Sequence, residues 1–352
     1  MISRRSFLRS SSLGLAALAQ LDWLLAAEAD GVIPAAKPPK IGFSTRAGDI
    51  AALQPAVIST ASVKICRILQ FTDLHLFHTT AADDRHTFRD CARQVAQHRP
   101  DLVVVTGDIW HENPNGRGQE YLETAVRQFE GWGVPWATCW GNHDLLGDFQ
   151  KGHDTLAAGK HSAYRGAATH GDYRIEVRAA GSSPDASPAL NLFFLNSSDE
   201  GLTAWQAHAL ATMSARTAAR SHAAPALLFF HVPIQEYGTR LTAGDFTGLK
   251  LEPVSHYQEH GEMFPFIVGA TTIRACFCGH NHLNDYVVKT GAVDLNFGRS
   301  TGYAGYGGDR LRKGAKLIEV DLGKGSYEQR TVFADGAKQF GYVPAATLDH
   351  VG

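Results

Sequence analysis

From Ile65 the chain alternates short apolar runs with stretches of helical periodicity. Residues 65–71 read as a strand, 85–98 as a helix, 101–107 as a buried strand, 119–132 as a helix and 134–140 as a strand. This β-α-β-α-β order implies parallel strands joined by right-handed crossovers. Further runs at 190–196, 226–231, 273–278, 292–297 and 316–321, with a long helical pattern near 203–220, predict an α/β fold with two sheets.

The polar residues at the strand ends constrain function. The first run leads into Asp73 and His75, the second into Asp108, the third into Asn142, His143 and Asp144, a later one into His231, and another into His280 and His282. In α/β sheets the carboxyl edge is where ligands bind, because the strand fixes the first residues of the loop. On an extended chain residues i and i+2 point to one side, so the spacing predicts that Asp73 is presented with His75, and His280 with His282. These donors are too many for one tetrahedral ion and fit two ions bridged by a shared carboxylate. Mixed oxygen and nitrogen donors suit iron, manganese or zinc rather than magnesium or calcium.

The chain has 352 residues, a length at which a single large α/β domain is common. A formal net charge of -2 without a basic stripe excludes nucleic acid as a stable partner. Ser3 to Arg9, containing Arg4-Arg5, resembles the twin-arginine export motif; an apolar stretch from Leu13 to Ala27 follows, and Ala27-Glu28-Ala29 has the form of a cleavage site. Asp22 makes the stretch too short and polar to span a bilayer, so no stable membrane insertion is expected after signal removal. An amphipathic N-terminal helix is the alternative. The expected organisation is an export signal over 1–29, a linker and lead-in to the fold over 30–60, and one domain over 61–352, in a periplasmic or otherwise exported protein handled by the twin-arginine machinery. Among five cysteines none forms a CxxC pair and four lie in apolar runs, so structural disulfides are not expected.

Asp73-x-His75, Gly107-Asp108, Gly141-Asn142-His143-Asp144, His231 and Gly279-His280-x-His282 resemble, in order, the five motifs of the calcineurin-like metallophosphoesterase superfamily, over about 210 residues. The resemblance implies a four-layer α/β/β/α sandwich of two mixed β-sheets flanked by helices. It also implies that Asp73, His75, Asp108 and His282 hold one metal ion, that Asp108, Asn142, His231 and His280 hold the other, and that Asp108 bridges them. Residues 297–308 and 280–285 are similar to the purple-acid-phosphatase-like branch. His111 stands where a purple enzyme has its metal-bound tyrosine, and His75 where it has a glycine, so the charge-transfer colour should be absent.

On this reading two divalent or mixed-valence transition-metal ions (Fe, Mn or Zn) support in-line attack of a metal-bridging hydroxide on a small phosphate monoester. The alternatives are a phosphodiesterase acting on cyclic nucleotides or glycerophosphodiesters, and a non-catalytic, metal-dependent binder of phosphate compounds. His143 carries no metal in the motif and is free to protonate the leaving group or to steady a phosphoryl oxygen. Asp144 either caps the next helix or orients His143. Arg299 and Asn281 are candidate substrate contacts, Arg299 because a guanidinium holds phosphate oxygens in a fork; packing of its glycine-rich loop is the other role open to it. Residues 232–264 carry few strand signals and read as a long segment that lines the pocket or forms plain surface. His78, His86, His111 and His153 read as exposed loop residues.

Overall fold

The computed structural model describes residues 53–336 apart from 199, 222–223, 242–245 and 308–310, together with 338–339. The export signal and the linker up to residue 52 lie outside the described residues. In chain order the elements of the first half are β1 (Ala56–Ser59), β2 (Ile65–Phe71), α1 (Ala81–His98), β3 (Leu102–Thr106), α2 (Gly118–Gly131), β4 (Trp136–Cys139), α3 (Phe149–Ala157), β5 (Tyr173–Arg178) and β6 (Leu190–Phe194). They continue with α4 (Ala204–Ser221), β7 (Ala226–Phe229), α5 (Glu236–Thr239), β8 (Phe246–Lys250), α6 (Phe264–Gly269), β9 (Ile273–Cys278), β10 (Asn284–Lys289), β11 (Asp294–Phe297), β12 (Ala315–Asp321), β13 (Tyr327–Val332) and β14 (Lys338–Gln339).

The strands form two mixed sheets. One has six strands in the order β14-β13-β12-β2-β3-β4, the other eight in the order β1-β5-β6-β7-β9-β11-β10-β8. Strands β2, β3 and β4 are mutually parallel, as are β6, β7, β9 and β11. The period-2 alternation of side chains lets the eight-stranded sheet bury both faces. On one face Tyr173, Phe194, Phe229 and Phe277 are aligned neighbours on β5, β6, β7 and β9, with ring centroids 4.6, 5.2 and 5.4 Å apart along the row. These rings share a core with Leu69 and Val103 of the six-stranded sheet. On the other face Phe193, Leu228 and Cys276 pack with Leu210 and Met213 of α4 and Ile267 of α6. Outside the six-stranded sheet, Trp132 lies 5.6 Å from Phe71, and Phe129 of α2 lies 5.4 Å from Trp136. Helix, sheet, sheet and helix therefore follow one another as four layers.

Local chemistry fixes the elements beside the sheet edge. Thr80 caps α1 through a capping box with Asp83, each side chain bonding the other's backbone N–H, so the helix starts four residues before its apolar pattern becomes readable. Asp84 in the first turn accepts from the Phe77 N–H at 3.0 Å and pins the loop that carries His75. The helix ends at Arg99 in the left-handed conformation, just ahead of Pro100.

Several elements differ from the sequence reading. Strand β1 lies within the stretch taken as lead-in and pairs in parallel with β5. The segment 232–264, which carries few strand signals in the sequence, holds β8, which pairs antiparallel with β10 at the sheet edge. Strand β5 is masked in sequence by Arg174 and Glu176, which are buried because they pair with one another at 2.8 Å. All five cysteines are buried and unpaired. Among the described residues no helix is long and apolar enough to cross a membrane.

Candidate metal centre

The carboxyl ends of β2, β3 and β4 in one sheet meet those of β7 and β9 in the other, and the seam is closed by hydrogen bonds. His231 Nδ1 lies 2.6 Å from the Thr106 carbonyl oxygen, and Gln70 Nε2 donates to the Cys278 carbonyl at 3.1 Å. Glycine is required where the seam is tightest. Gly107 has φ +85°, and a Cβ there would stand 2.7 Å from the His231 ring; a Cβ on Gly141 would stand 2.1 Å from the Asp108 nitrogen.

Asp73, His75, Asp108 and His280 all have positive φ, from 44° to 74°. The extended-chain argument for Asp73 with His75 is thereby corrected: left-handed turns, not strand alternation, bring them together. Such conformations cost about 1–3 kcal/mol each for non-glycine residues. Backbone bonds of Asp73 N–H to the Gly107 carbonyl (3.1 Å) and His75 N–H to the Asp108 carbonyl (2.9 Å) hold them.

The side chains fall into two groups that share Asp108. Asp73, His75, Asp108 and His282 each offer a ligand atom within 4.8 Å of the others, and so do Asp108, His231 and His280. Asn142 joins the second group, its Oδ1 lying 3.0 Å from His231 Nε2 and 2.9 Å from His280 Nδ1. His280 and His282 thus turn to different groups. The cluster has the marks of a place for cations. His75 Nε2 and His282 Nε2 face each other at 3.0 Å, while each also faces a carboxylate, Asp108 at 3.4 Å and Asp73 at 3.5 Å. Asp73 Oδ2 is buried without a hydrogen-bond partner, a state a native structure rarely tolerates unless something else satisfies the atom. The outer nitrogens of two rings are engaged by backbone, His231 Nδ1 by Thr106 and His282 Nδ1 by the Tyr306 carbonyl at 3.1 Å, which directs each Nε2 inward.

Burial shapes the protonation states. It holds His75 well below the ordinary imidazole value and pushes His280 down to about 3, leaving both rings neutral. Burial works against the charged form of Asp108 as well, but the surrounding imidazoles outweigh it and keep the carboxylate ionised.

Beyond the two groups, His143 lies at the mouth. Its backbone N–H donates to Asp108 Oδ1 at 2.9 Å, and its Nδ1 pairs with Glu112 Oε1 at 2.8 Å. Sequence reasoning missed Glu112, which lies thirty-one positions from its partner; the signal available was its place four residues after the motif aspartate. Asp144 takes neither role foreseen for it. It is buried and accepts from the N–H groups of Ile109 (2.7 Å), Trp110 (3.2 Å) and Gly141 (2.7 Å), tying the β3 loop to the β4 loop. The cap of α3 is Asp148 instead.

The two substrate-contact readings are corrected. Arg299 is buried, its Nε–H donating to Asp285 at 2.7 Å and a terminal nitrogen to the Arg312 carbonyl at 3.0 Å, so it packs its loop. Asn281 is buried too, and pins the neighbouring loop by accepting from Ser255 N–H and donating to the Pro253 carbonyl, both at 3.2 Å. His111 and His153 are not plain exposed loop residues. His111 is half-buried, with Nδ1 3.0 Å from His75 Nδ1, while His153 is buried in α3 against the Tyr164 hydroxyl at 2.5 Å. His86 stacks on Tyr303 at 3.8 Å from within α1, and His78 is exposed beside His111. Tyr306, also unforeseen, stacks on His282 at 3.8 Å and donates its hydroxyl proton to Glu252 at 3.0 Å.

Two mixed sheets that aim a shared carboxylate, imidazoles and an amide at one edge define an α/β sandwich whose buried Asp/His cluster is compatible with two metal ions. A family model described as "Calcineurin-like phosphoesterase" matches residues 66–284, and the chain belongs to that family. It is 28% identical to the Arabidopsis thaliana protein named "Probable inactive purple acid phosphatase 28" over 74% of this chain and 76% of that one. It is 24% identical to "Probable inactive purple acid phosphatase 29" of the same plant, over 73% and 77%. Among solved structures, a dimetal phosphatase from Danio rerio matches with a TM-score of 0.46 at 13% identity, covering 79% of this chain and 96% of that one.

Proposed function

We propose that this chain is an exported phosphoesterase that hydrolyses phosphate monoesters with two transition-metal ions. Asp73, His75, Asp108 and His282 hold one ion, and Asp108, Asn142, His231 and His280 the other. The observation that carries the reading is the sharing of one buried carboxylate, Asp108, between the two donor groups. Asp73 and Asp108 are the only carboxylates in those groups, so two divalent cations would leave the site net positive towards an anionic ester. When bound, such a pair activates water and offsets charge on a phosphoryl group.

The chain's own residues supply the rest. The neutral His75 and His280 rings add donors without cancelling positive charge. Glu112 holds His143 by its Nδ1, leaving the other ring nitrogen to give a proton to the departing alkoxide. The plant relatives carry the word "inactive" in their names, so turnover is the first thing to measure. Paired assays on a chromogenic monoester and a bis-ester, with metal content determined alongside, test the proposal. Hydrolysis of the monoester with close to two ions per chain supports it; ions without turnover leave the phosphate-binding alternative, and turnover of the bis-ester alone leaves the phosphodiesterase. His143→Asn should keep both ions and lose about 10²–10⁴ in rate on alkyl phosphates, but less on aryl esters, whose phenolate leaves without a proton. Equal losses on both substrates would assign His143 to a non-leaving oxygen instead.

A further inference from the structure

His111, Glu112 and His143 form a third group of donors, at the mouth of the cluster, that neither proposed ion uses. One ligand atom from each lies within 4.8 Å of the others. Glu112 Oε1 and His143 Nδ1 are already 2.8 Å apart, and the rings of His111 and His143 stack at 4.6 Å and 17°. All three residues are half-buried, and the side chains of His143 and Glu112 keep 32% and 43% of their surface, so an ion from solvent can reach them. The segment is tied in place, since Glu112 N–H donates to the His143 carbonyl at 2.9 Å and His111 N–H to the Leu76 carbonyl at 3.0 Å. Two imidazoles and one carboxylate, with a position left for water, are the donor set of an open zinc site. Zinc–nitrogen bonds of about 2.0–2.1 Å place tetrahedral ligands about 3.4 Å apart, so closing the site takes shifts of the order of 1 Å in side chains that solvent leaves room to move.

We propose that His111, Glu112 and His143 bind a third, exchangeable zinc-type cation, and that its binding switches off the proton donor of the dinuclear centre. The proposal rests on the function assigned above to His143. In that reading Glu112 Oε1 holds the His143 ring by its Nδ1 at 2.8 Å, with the other ring nitrogen turned to the leaving group. A cation bound among Nδ1, Glu112 and His111 takes the place of that hydrogen bond, the displaced hydrogen leaving to solvent, and the ring shift that closes the site draws the proton donor away from the leaving alkoxide. Zinc in excess of the two structural equivalents therefore acts as an inhibitor at a defined site.

The test uses the mature chain, first loaded with two ions and dialysed, then titrated with Zn²⁺ against a chromophoric chelator, with Co²⁺ in a parallel titration for its tetrahedral absorption bands. A third equivalent is expected, accompanied by a fall of about 10²-fold in the rate on an alkyl phosphate and a smaller fall on an aryl ester. His111→Gln should abolish the third equivalent and the sensitivity to excess zinc while retaining the first two ions. Glu112→Gln serves as the second variant should His111→Gln fold poorly. Absence of a third equivalent in the loaded protein, or its persistence in both variants, would overturn the proposal. The two readings fail separately: a chain that takes up one ion only, lost with His111→Gln, keeps this site and refutes the dinuclear centre.

Discussion

Two buried polar clusters differ in how they are closed. In one, Asp285 on β10 receives Arg299 Nε–H and Thr331 Oγ1–H at 2.7 Å each and pairs with the Lys316 ammonium, which also bonds Gln329 at 3.1 Å. Every charge there faces an opposite one. In the other, Asp73 and Asp108 are equally buried, but their neighbours are imidazoles, two of which face each other nitrogen to nitrogen, and one carboxylate oxygen has no hydrogen-bond partner. A closed network of this kind fixes a structure, whereas the open one is compatible with metal ions. Cations that the chain supplies in the first case would come from solvent in the second.

Removing the shared carboxylate should produce the largest effect. Asp108→Asn is expected to lose both ions, and with them about 10³-fold or more in phosphoester turnover, since metals contribute several kcal/mol to the transition state. Its melting temperature should no longer respond to added metal, whereas wild type should be stabilised by mass action as the ions bind. Retention of two ions, by elemental analysis, would show that Asp108 is not shared.

The closed cluster should respond in the opposite way. Asp285→Asn strands the Arg299 and Lys316 charges in the interior, a change that costs about 3–5 kcal/mol, measured by denaturant unfolding of the metal-free chain. What fold remains should still gain stability from added metal. A loss of metal response together with stability would mean that the two clusters are one coupled unit.

Acid distinguishes them further. Burial opposes the Asp285 carboxylate, but Lys316 and Arg299 outweigh it and hold its pKa down at about 2, against 3.8 unperturbed. A depressed carboxylate stabilises the fold fully above its unfolded value and loses that contribution as pH falls through the folded one. Asp285 should therefore supply about 2 kcal/mol above pH 4, lost between pH 4 and 2. The stability difference between wild type and Asp285→Asn in metal-free protein should shrink over that window. A constant difference would indicate that the carboxylate is not ionised.

Motif residues were legible because each comes directly after a readable apolar strand, as Asp108 does after Leu102–Thr106 and His280 after Ile273–Cys278. Their partition into two groups came from family resemblance rather than from spacing, and the left-handed turns that achieve it left no periodic trace. Arg299 shows the limit most plainly. A guanidinium in a glycine-rich loop can grip phosphate or pack a loop, and its actual partner, Asp285, lies on β10, a strand hidden by its polar start Asn284-Asp285. Glu112 left only the faint trace of its place four residues after Asp108, because the closing of the β3 and β4 loops through Asp144 is what brings it to His143.

The smallest expected effect concerns that pair, which ties His143 beside the open cluster to a carboxylate. Glu112 is a positioning residue: its Oε1 fixes the His143 ring at 2.8 Å without being among the donors shared with Asp108. Glu112→Gln keeps an acceptor for the Nδ1–H but removes the negative charge, so a loss of about tenfold on alkyl phosphates is expected, at the low end of what outer partners of a site contribute. Glu112→Ala removes the acceptor as well and should lose more. In both variants aryl phosphates should be affected less, because their leaving group needs no proton. A purely structural Glu112 would lower both substrates alike, and steady-state rates on the two esters, compared across the two variants at matched metal content, separate these outcomes.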